Sequence, residues 1–182
     1  AVTQQPLTED DKIESITYFD GLGRPKQQIS RQAGGNKQDI LVPIVYDAFG
    51  RQVQQYLPYA NPLQDGSRTS LGFVNPTNLL SDLNAYYIAK YPVDINGSVP
   101  NPFSETHYES SPLNRVLEQG APGIDWKIDK QSDTDHTIKF EYKTNSTNEV
   151  AYYKVIFPTG NTEQPQLFYS GLYQANQLYK TI

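Results

Sequence analysis

The chain contains no cysteine and no methionine in its 182 residues. Without cysteine there is no disulfide framework, no thiolate zinc site, no cysteine-ligated iron–sulfur cluster and no cysteine nucleophile. Without methionine the chain does not begin at an initiator, which sets the expectation of a processed start and of a piece cut from a longer polypeptide. Charge is sparse as well. Fifteen basic and 20 acidic residues make up 19% of the chain and leave a net charge of −5. Lysine and arginine form no cluster, so no nucleic-acid partner is expected. No apolar run reaches the ~18 residues that would span a bilayer, and no signal-peptide pattern is present. Neither a Gly-x-Ser-x-Gly nor a Walker-type Gly-x-x-x-x-Gly-Lys motif occurs. Gly21-Leu22-Gly23-Arg24 is not followed by a helical pattern, which removes a dinucleotide-binding reading. No cofactor is expected.

What remains is polar without being charged. Mean hydropathy is −0.63, set by Gln, Asn, Ser and Thr. Thirteen prolines, 12 glycines and 14 tyrosines describe a turn-rich β protein rather than a helical bundle. Aromatic residues at 12% argue against global disorder. The length suits one domain of about 100–200 residues.

Along the chain, residues 1–12 are polar and aperiodic and read as a loose arm. Residues 13–182 read as a single β-rich domain with a helical insertion at about 60–104. Ile13–Phe19, Lys26–Arg31, Asp39–Asp47 and Arg51–Leu57 carry strand signals, with Pro43 marking an edge strand or bulge. Asn61–Asn75 is rich in turn formers. Leu79, Leu80, Leu83, Tyr86 and Tyr87 fall at helical spacing, predicting one helix over about 77–91, capped by Asn75 or Thr77 and ended by Pro92. Residues 92–104 read as loop. Arg115–Glu118, Thr137–Tyr142, Glu149–Phe157 and Gln177–Ile182 read as strands, with Asn145–Asn148 as a hairpin loop between the second and third of these. The last strand pattern runs into Ile182 without a terminating turn. The fold class expected is therefore mainly β, with antiparallel sheets built from hairpins and one inserted α-helix.

A short pattern recurs. Tyr18-Phe19-Asp20-Gly21-Leu22-Gly23-Arg24 and Tyr46-Asp47-Ala48-Phe49-Gly50-Arg51 both contain Asp-x-x-Gly-Arg with an aromatic residue just ahead. Tyr108-Glu109-Ser110-Ser111-Pro112-Leu113-Asn114-Arg115 is a degenerate third copy, with Glu for Asp, Asn for Gly and a longer turn. The residue types describe a structural turn. The carboxylate accepts backbone N–H groups, as in Asx-turns. Gly supplies a left-handed position, which Asn tolerates best among other residues. The arginine fork opens the return strand and reaches the carboxylate.

At these residues the sequence resembles the YD repeat of RHS proteins, the large surface and toxin-delivery proteins of bacteria. Residues 16–25, 45–59 and 108–123, with Trp126 and 136–142 after them, resemble the uncharacterised segment that precedes the RHS repeats in Bacteroidetes proteins. The resemblance spans roughly 13–182. It implies β-hairpins that wind into, or lie beside, a hollow shell around a toxic C-terminal region. It further implies a secreted or cell-surface location and, as partner, the remainder of the chain's own polypeptide. The self-cleaving acidic residues of RHS cores belong to a later segment and have no counterpart here. The expected function is accordingly a non-enzymatic structural module.

Two alternatives come from other classes. Tyr86, Tyr87, Tyr152, Tyr153, Tyr169, Tyr173 and Tyr179 suit a binding face for a surface glycan or protein, or else the two faces of a half-buried sheet. A glycoside hydrolase needs no sequence signature for its carboxylate pair and is the enzymatic alternative. Weaker patterns are Glu105/His107/Glu109 on one strand face, Asp133–His136 in a polar loop, and Asp94-Ile95-Asn96-Gly97-Ser98, which echoes a calcium loop without its closing Glu. Asn96 and Asn145 begin N-x-Ser/Thr sequons. Each of these reads more simply as a solvated face or a turn, and no metal is expected.

Overall fold

The structure is a computed structural model that describes residues 12–60, 73–132, 134–160 and 162–182. The N-terminal arm up to residue 11, most of the turn-rich stretch after Asn61, and Asp133 lie outside the described residues. The chain forms two compact units, the first ending at Ile138 and the second running Lys139–Ile182.

The first unit is built from antiparallel sheets. β1 (Ser15–Phe19), β2 (Pro25–Ser30), β3 (Ile40–Pro43) and β5 (Tyr59–Ala60) form one sheet in the order β1-β2-β3-β5. Register places Ile16 opposite Ile29, Ile29 opposite Leu41, and Leu41 opposite Tyr59. Because side chains alternate along a strand, these residues share a face. Ile29, Leu41 and Tyr59 on that face bury against Leu79 and Leu83. Those leucines belong to α1 (Pro76–Lys90), whose i, i+4 spacing puts them on one stripe. Half-buried Tyr18, Tyr56, Val74, Leu80, Tyr86 and Tyr87 surround this core.

Gln27, fully buried on the same face, is tied to the chain just ahead of α1. Its Oε1 accepts the Val74 N–H at 3.1 Å and its Nε2 donates to the Val74 carbonyl at 3.4 Å. A buried amide costs stability unless both ends are satisfied, and this tether supplies both. It also sets where the helix enters over the sheet.

The second sheet runs β4 (Gln54–Tyr56), β6 (Phe103–Tyr108), β7 (Val116–Gly120) and β8 (Ile138–Lys139), where the first unit ends. An antiparallel bridge between Ile44 and Gln55 links the two sheets. The strand sequence is thus continuous: β2 pairs β3, β3 runs on to Ile44 beside β4, and β4 pairs β6. Pro43 ends β3 rather than interrupting it.

Two local expectations are corrected. Pro92 disfavours α geometry in the residue before it, and α1 does break at Tyr91. Yet Pro92 then opens a second, single-turn helix, α2 (Pro92–Ile95), instead of leading into loop. The stretch assigned to loop also ends early, because β6 begins at Phe103.

In the second unit, β9 (Tyr142–Thr144) pairs β12 (Tyr179–Thr181), and β10 (Ala151–Ile156) pairs β11 (Gln166–Leu172). Residues 145–148 therefore do not close a hairpin between the strands that flank them. The reason is Asn145, which is buried. Its Oδ1 accepts the N–H groups of Gln177 and Leu178 at 3.0 and 2.8 Å, and its Nδ2 donates to the Gln174 carbonyl at 2.8 Å. This clamp pairs β9 with the chain's last strand. β11, which carried no strand expectation, is paired along its length and bulged at Tyr152/Tyr153 opposite Gly171, whose φ is 122°.

Candidate functional site

All three copies of the repeated pattern sit at the tips of antiparallel strand pairs. The first joins β1 to β2, the second joins the β3 end to β4, and the third joins β6 to β7. The first two turns share one set of bonds. Asp20 N–H donates to the Arg24 carbonyl at 2.8 Å and Gly23 N–H to the Asp20 carbonyl at 3.0 Å; in the second turn Asp47/Arg51 and Gly50/Asp47 repeat these at 2.9 and 3.0 Å. Asp20 Oδ1 accepts the N–H groups of Leu22 and Arg24 at 2.9 Å each, and Oδ2 accepts Arg24 Nε and Nη2 at 2.8 Å each. Asp47 does the same with Phe49 and Arg51. Gly23 and Gly50 hold φ of 76° and 78°, the left-handed region that glycine enters without penalty.

The third turn reaches the same end with different atoms. Glu109 N–H donates to the Arg115 carbonyl at 2.9 Å. Arg115 Nε and Nη2 grip the Glu109 carboxylate, the latter at 2.7 Å. The carboxylate is one methylene further from the backbone than an Asp. Ser111 fills the difference: its Oγ donates to Glu109 Oε1 at 2.7 Å and accepts the Leu113 N–H at 3.2 Å. Asn114 takes the glycine position at φ 52°.

Electrostatics follow from these contacts. The Arg24 backbone N–H, with its guanidinium and the Leu22 N–H, holds the Asp20 carboxyl below its usual range. The Arg51 N–H does so for Asp47. The Arg115 guanidinium, helped by Ser111, lowers Glu109 to about 2. Acid–base catalysis near neutral pH uses a carboxyl raised toward that pH; these three are displaced the other way.

The turns are also joined to one another. The Arg24 guanidinium lies 4.5 Å from the centre of the Tyr46 ring, and that of Arg51 lies 4.7 Å from the Tyr108 ring and 5.0 Å from Phe49. Each arginine thus closes its own turn with its edge and stacks on the tyrosine of the next turn with its face. The planar, delocalised guanidinium can do both at once. Arg51 Nη1 further donates to Asn114 Oδ1 at 2.5 Å. At Gly50 an added Cβ would come within 2.9 Å of Arg24 Nη1, so this glycine leaves room for the preceding turn's arginine. Arg24 on Tyr46 and Arg51 on Tyr108, each arginine held by the carboxylate of its own turn, link the three turns into one cross-strand ladder, whereas Tyr18 packs against the core and Phe73.

Other expected groups are not assembled. Among the described residues no three histidine or acidic side chains gather as a metal site. Asp94 lies on α2, and Asn96 ends that helix at φ 45°, so the calcium-loop echo is a helix end. His136 Nδ1 lies 3.0 Å from the Asp125 carbonyl, with its ring beside Trp126. Of the tyrosines, Tyr153 and Tyr169 meet edge-on at 64° and Tyr152 and Tyr173 are tilted at 55°. Sequence reasoning missed Gln27, Asn101 and the structural role of Asn145. Their roles rest on partners 20 or more residues away: Val74 for Gln27, Ala121 and Gly123 for Asn101, and Gln174, Gln177 and Leu178 for Asn145.

A comparison with family models matches residues 1–144 to the domain of unknown function DUF6443, a span that contains all three turns. No curated protein and no solved structure matches the chain. With most of its length inside that match, this chain belongs to the DUF6443 family.

Proposed function

We propose that this domain is a non-enzymatic structural module of a large secreted or surface-exposed bacterial protein of the RHS/YD-repeat kind found in Bacteroidetes. Its work is to contribute hairpins to, or beside, the wall of a repeat shell. The partner is the rest of its own polypeptide. The observation that carries this reading is the ladder in which Arg24 stacks on Tyr46 and Arg51 on Tyr108. A turn that only reverses a strand has no need of a face for the next turn. A turn meant to be stacked side by side does. Strand order supports the same reading, because each hairpin's return strand pairs with the outgoing strand of the next.

The test is a cryo-EM structure of the full-length polypeptide. Expected are the hairpins of this domain hydrogen-bonded in register with downstream repeats, or packed on the rim of the shell. A domain held away from the repeats on a linker, with no hairpin touching them, overturns the proposal.

A further inference from the structure

Away from the ladder, the chain leaving α1 folds back over the start of β6 and encloses a cleft of about 270 Å³. Its walls include Leu57, Tyr87, Tyr91, Pro102 and Ile124, and among the described lining residues Asp94 supplies the one charged side chain. Tyr87 and Tyr91 stack at 5.8 Å with their planes 17° apart. The inner ring is fixed, because Tyr87 Oη donates to the Pro58 carbonyl at 2.8 Å. Tyr91 is half exposed.

The opposite wall is cross-braced by hydrogen bonds. Asn101 is buried, and its Nδ2 faces the carbonyls of Phe103, Ala121 and Gly123 at 3.2–3.4 Å while its own carbonyl accepts the Gly123 N–H at 2.9 Å. Buried Pro100 and Pro102 flank it. Such a pocket does not need to be ordered on binding, which favours affinity.

Asp94 has no hydrogen-bond or ion-pair partner among the described residues. Of the other lining residues, Tyr87 and Asn101 have hydrogen-bond partners within the fold, and Leu57, Ile95, Ile124 and the prolines are apolar. A free carboxylate beside a tyrosine face is the pairing that this molecule twice satisfies with arginine, at Asp20/Tyr46 and at Asp47/Tyr108. We infer that the cleft is a binding site for an arginine side chain presented by a peptide segment of a partner protein. The stem lies along the apolar wall and the guanidinium meets Tyr91 and Asp94. The volume is just below that of drug-sized sites, about 300–1,000 Å³, and suits one long side chain. A free amino acid would bring its own carboxylate toward Asp94, so the peptide is the better source. The net charge of −5 favours approach of a basic partner.

The experiment titrates the isotope-labelled chain with N-acetyl-arginine N-methylamide and follows backbone amide shifts. Saturable shifts are expected at Asp94, Ile95, Gly123 and Ile124. The neutral isostere N-acetyl-citrulline N-methylamide should bind several-fold more weakly. Asp94→Asn and Tyr91→Ala should each weaken binding by about 2–5-fold, the size of an exposed ion pair or cation–π contact. Citrulline binding as well as arginine, or shifts that map elsewhere, overturns the inference. So does free L-arginine binding more tightly than the capped form. The citrulline arm uses the unaltered chain, so a misfolded variant cannot mask the result. This inference is independent of the shell-module reading.

Discussion

The turn at Asp20–Arg24 and the turn at Glu109–Arg115 stand on different ground. The first tops strands that bury Gln27, Ile29 and Leu41 beneath α1. The third tops strands β6 and β7, where the buried positions are Glu118 and Gly120 rather than large apolar side chains. The first uses Asp and Gly, and the third uses Glu, Ser111 and Asn114. Both nonetheless close with a carboxylate gripping the arginine at the other end of the same turn, and both join the ladder through Tyr–Arg contacts. The turn is therefore set by its own five to eight residues and does not depend on the core below it. What differs is how much the surrounding sheet resists loss of an apolar side chain.

That contrast can be broken first at the core. Leu41→Ala or Leu83→Ala should cost about 2–5 kcal/mol, as expected for a buried leucine, whereas Leu117→Ala, half-buried in β7, should cost clearly less. Urea unfolding of the three variants decides it; equal losses would mean that the second sheet has a core of equal weight. Next come the glycines. Gly23→Ala faces only its left-handed backbone, a cost of about 1–2 kcal/mol. Gly50→Ala should cost more, because the new Cβ also displaces Arg24 from 2.9 Å away. If the two are equal by thermal melting, the turns are not coupled through Arg24.

The ladder itself is a smaller quantity. Arg51→Lys keeps the charge but removes the planar face over Tyr108 together with the two-pronged grip on Asp47 and the bond to Asn114, and should lose more than the about 0.5–1 kcal/mol of a cation–π contact alone. Tyr108→Leu should lose about 0.5–1 kcal/mol, and the double variant less than the sum of the two single losses. Additive losses would show that the two groups do not act as a pair.

Acid should then separate the turns by degree. Asp20, Asp47 and Glu109 all have lowered carboxyl pKa values. A depressed carboxyl stabilises the fold above its unfolded value and loses that contribution as pH falls through its folded value. For Glu109 the window runs from the ordinary 4.5 down to about 2. Carboxyl carbon NMR should show Glu109 still ionised at pH 3; a normal titration near 4.5 would remove the Arg115 grip from the account. The smallest effect lies back in the core. The Tyr59 hydroxyl is buried without a partner among the described residues, and burial pushes its pKa up. Tyr59→Phe should leave stability unchanged or slightly raised, since it deletes an unsatisfied donor. A clear loss would reveal a bond to that hydroxyl.

Strand content and the one long helix were legible because each rests on a pattern within about 15 residues. The leucine spacing of α1 and the turn residues at its flanks are examples. β5 was not legible, because two residues carry no period. β11 was not, because Gly171 interrupts its alternation at the bulge. The hairpin expected at residues 145–148 failed for a different reason. The turn residues are there, but Asn145 spends its side chain on Gln174, Gln177 and Leu178, far along the chain.

The conformation of the turns was determined by the sequence alone. Asp, Gly and Arg close the first two turns with bonds inside one short loop, and Glu109, Ser111 and Arg115 close the third in the same way, so local chemistry is enough. The tertiary structure decided which strand lies beside which. It thereby put Arg24 on Tyr46, Arg51 on Tyr108, and Tyr91 with Asp94 across a cleft from Pro102 and Ile124. Contacts between distant segments form only when the apolar faces of sheet and helix have been buried together, and that burial is a property of the whole fold.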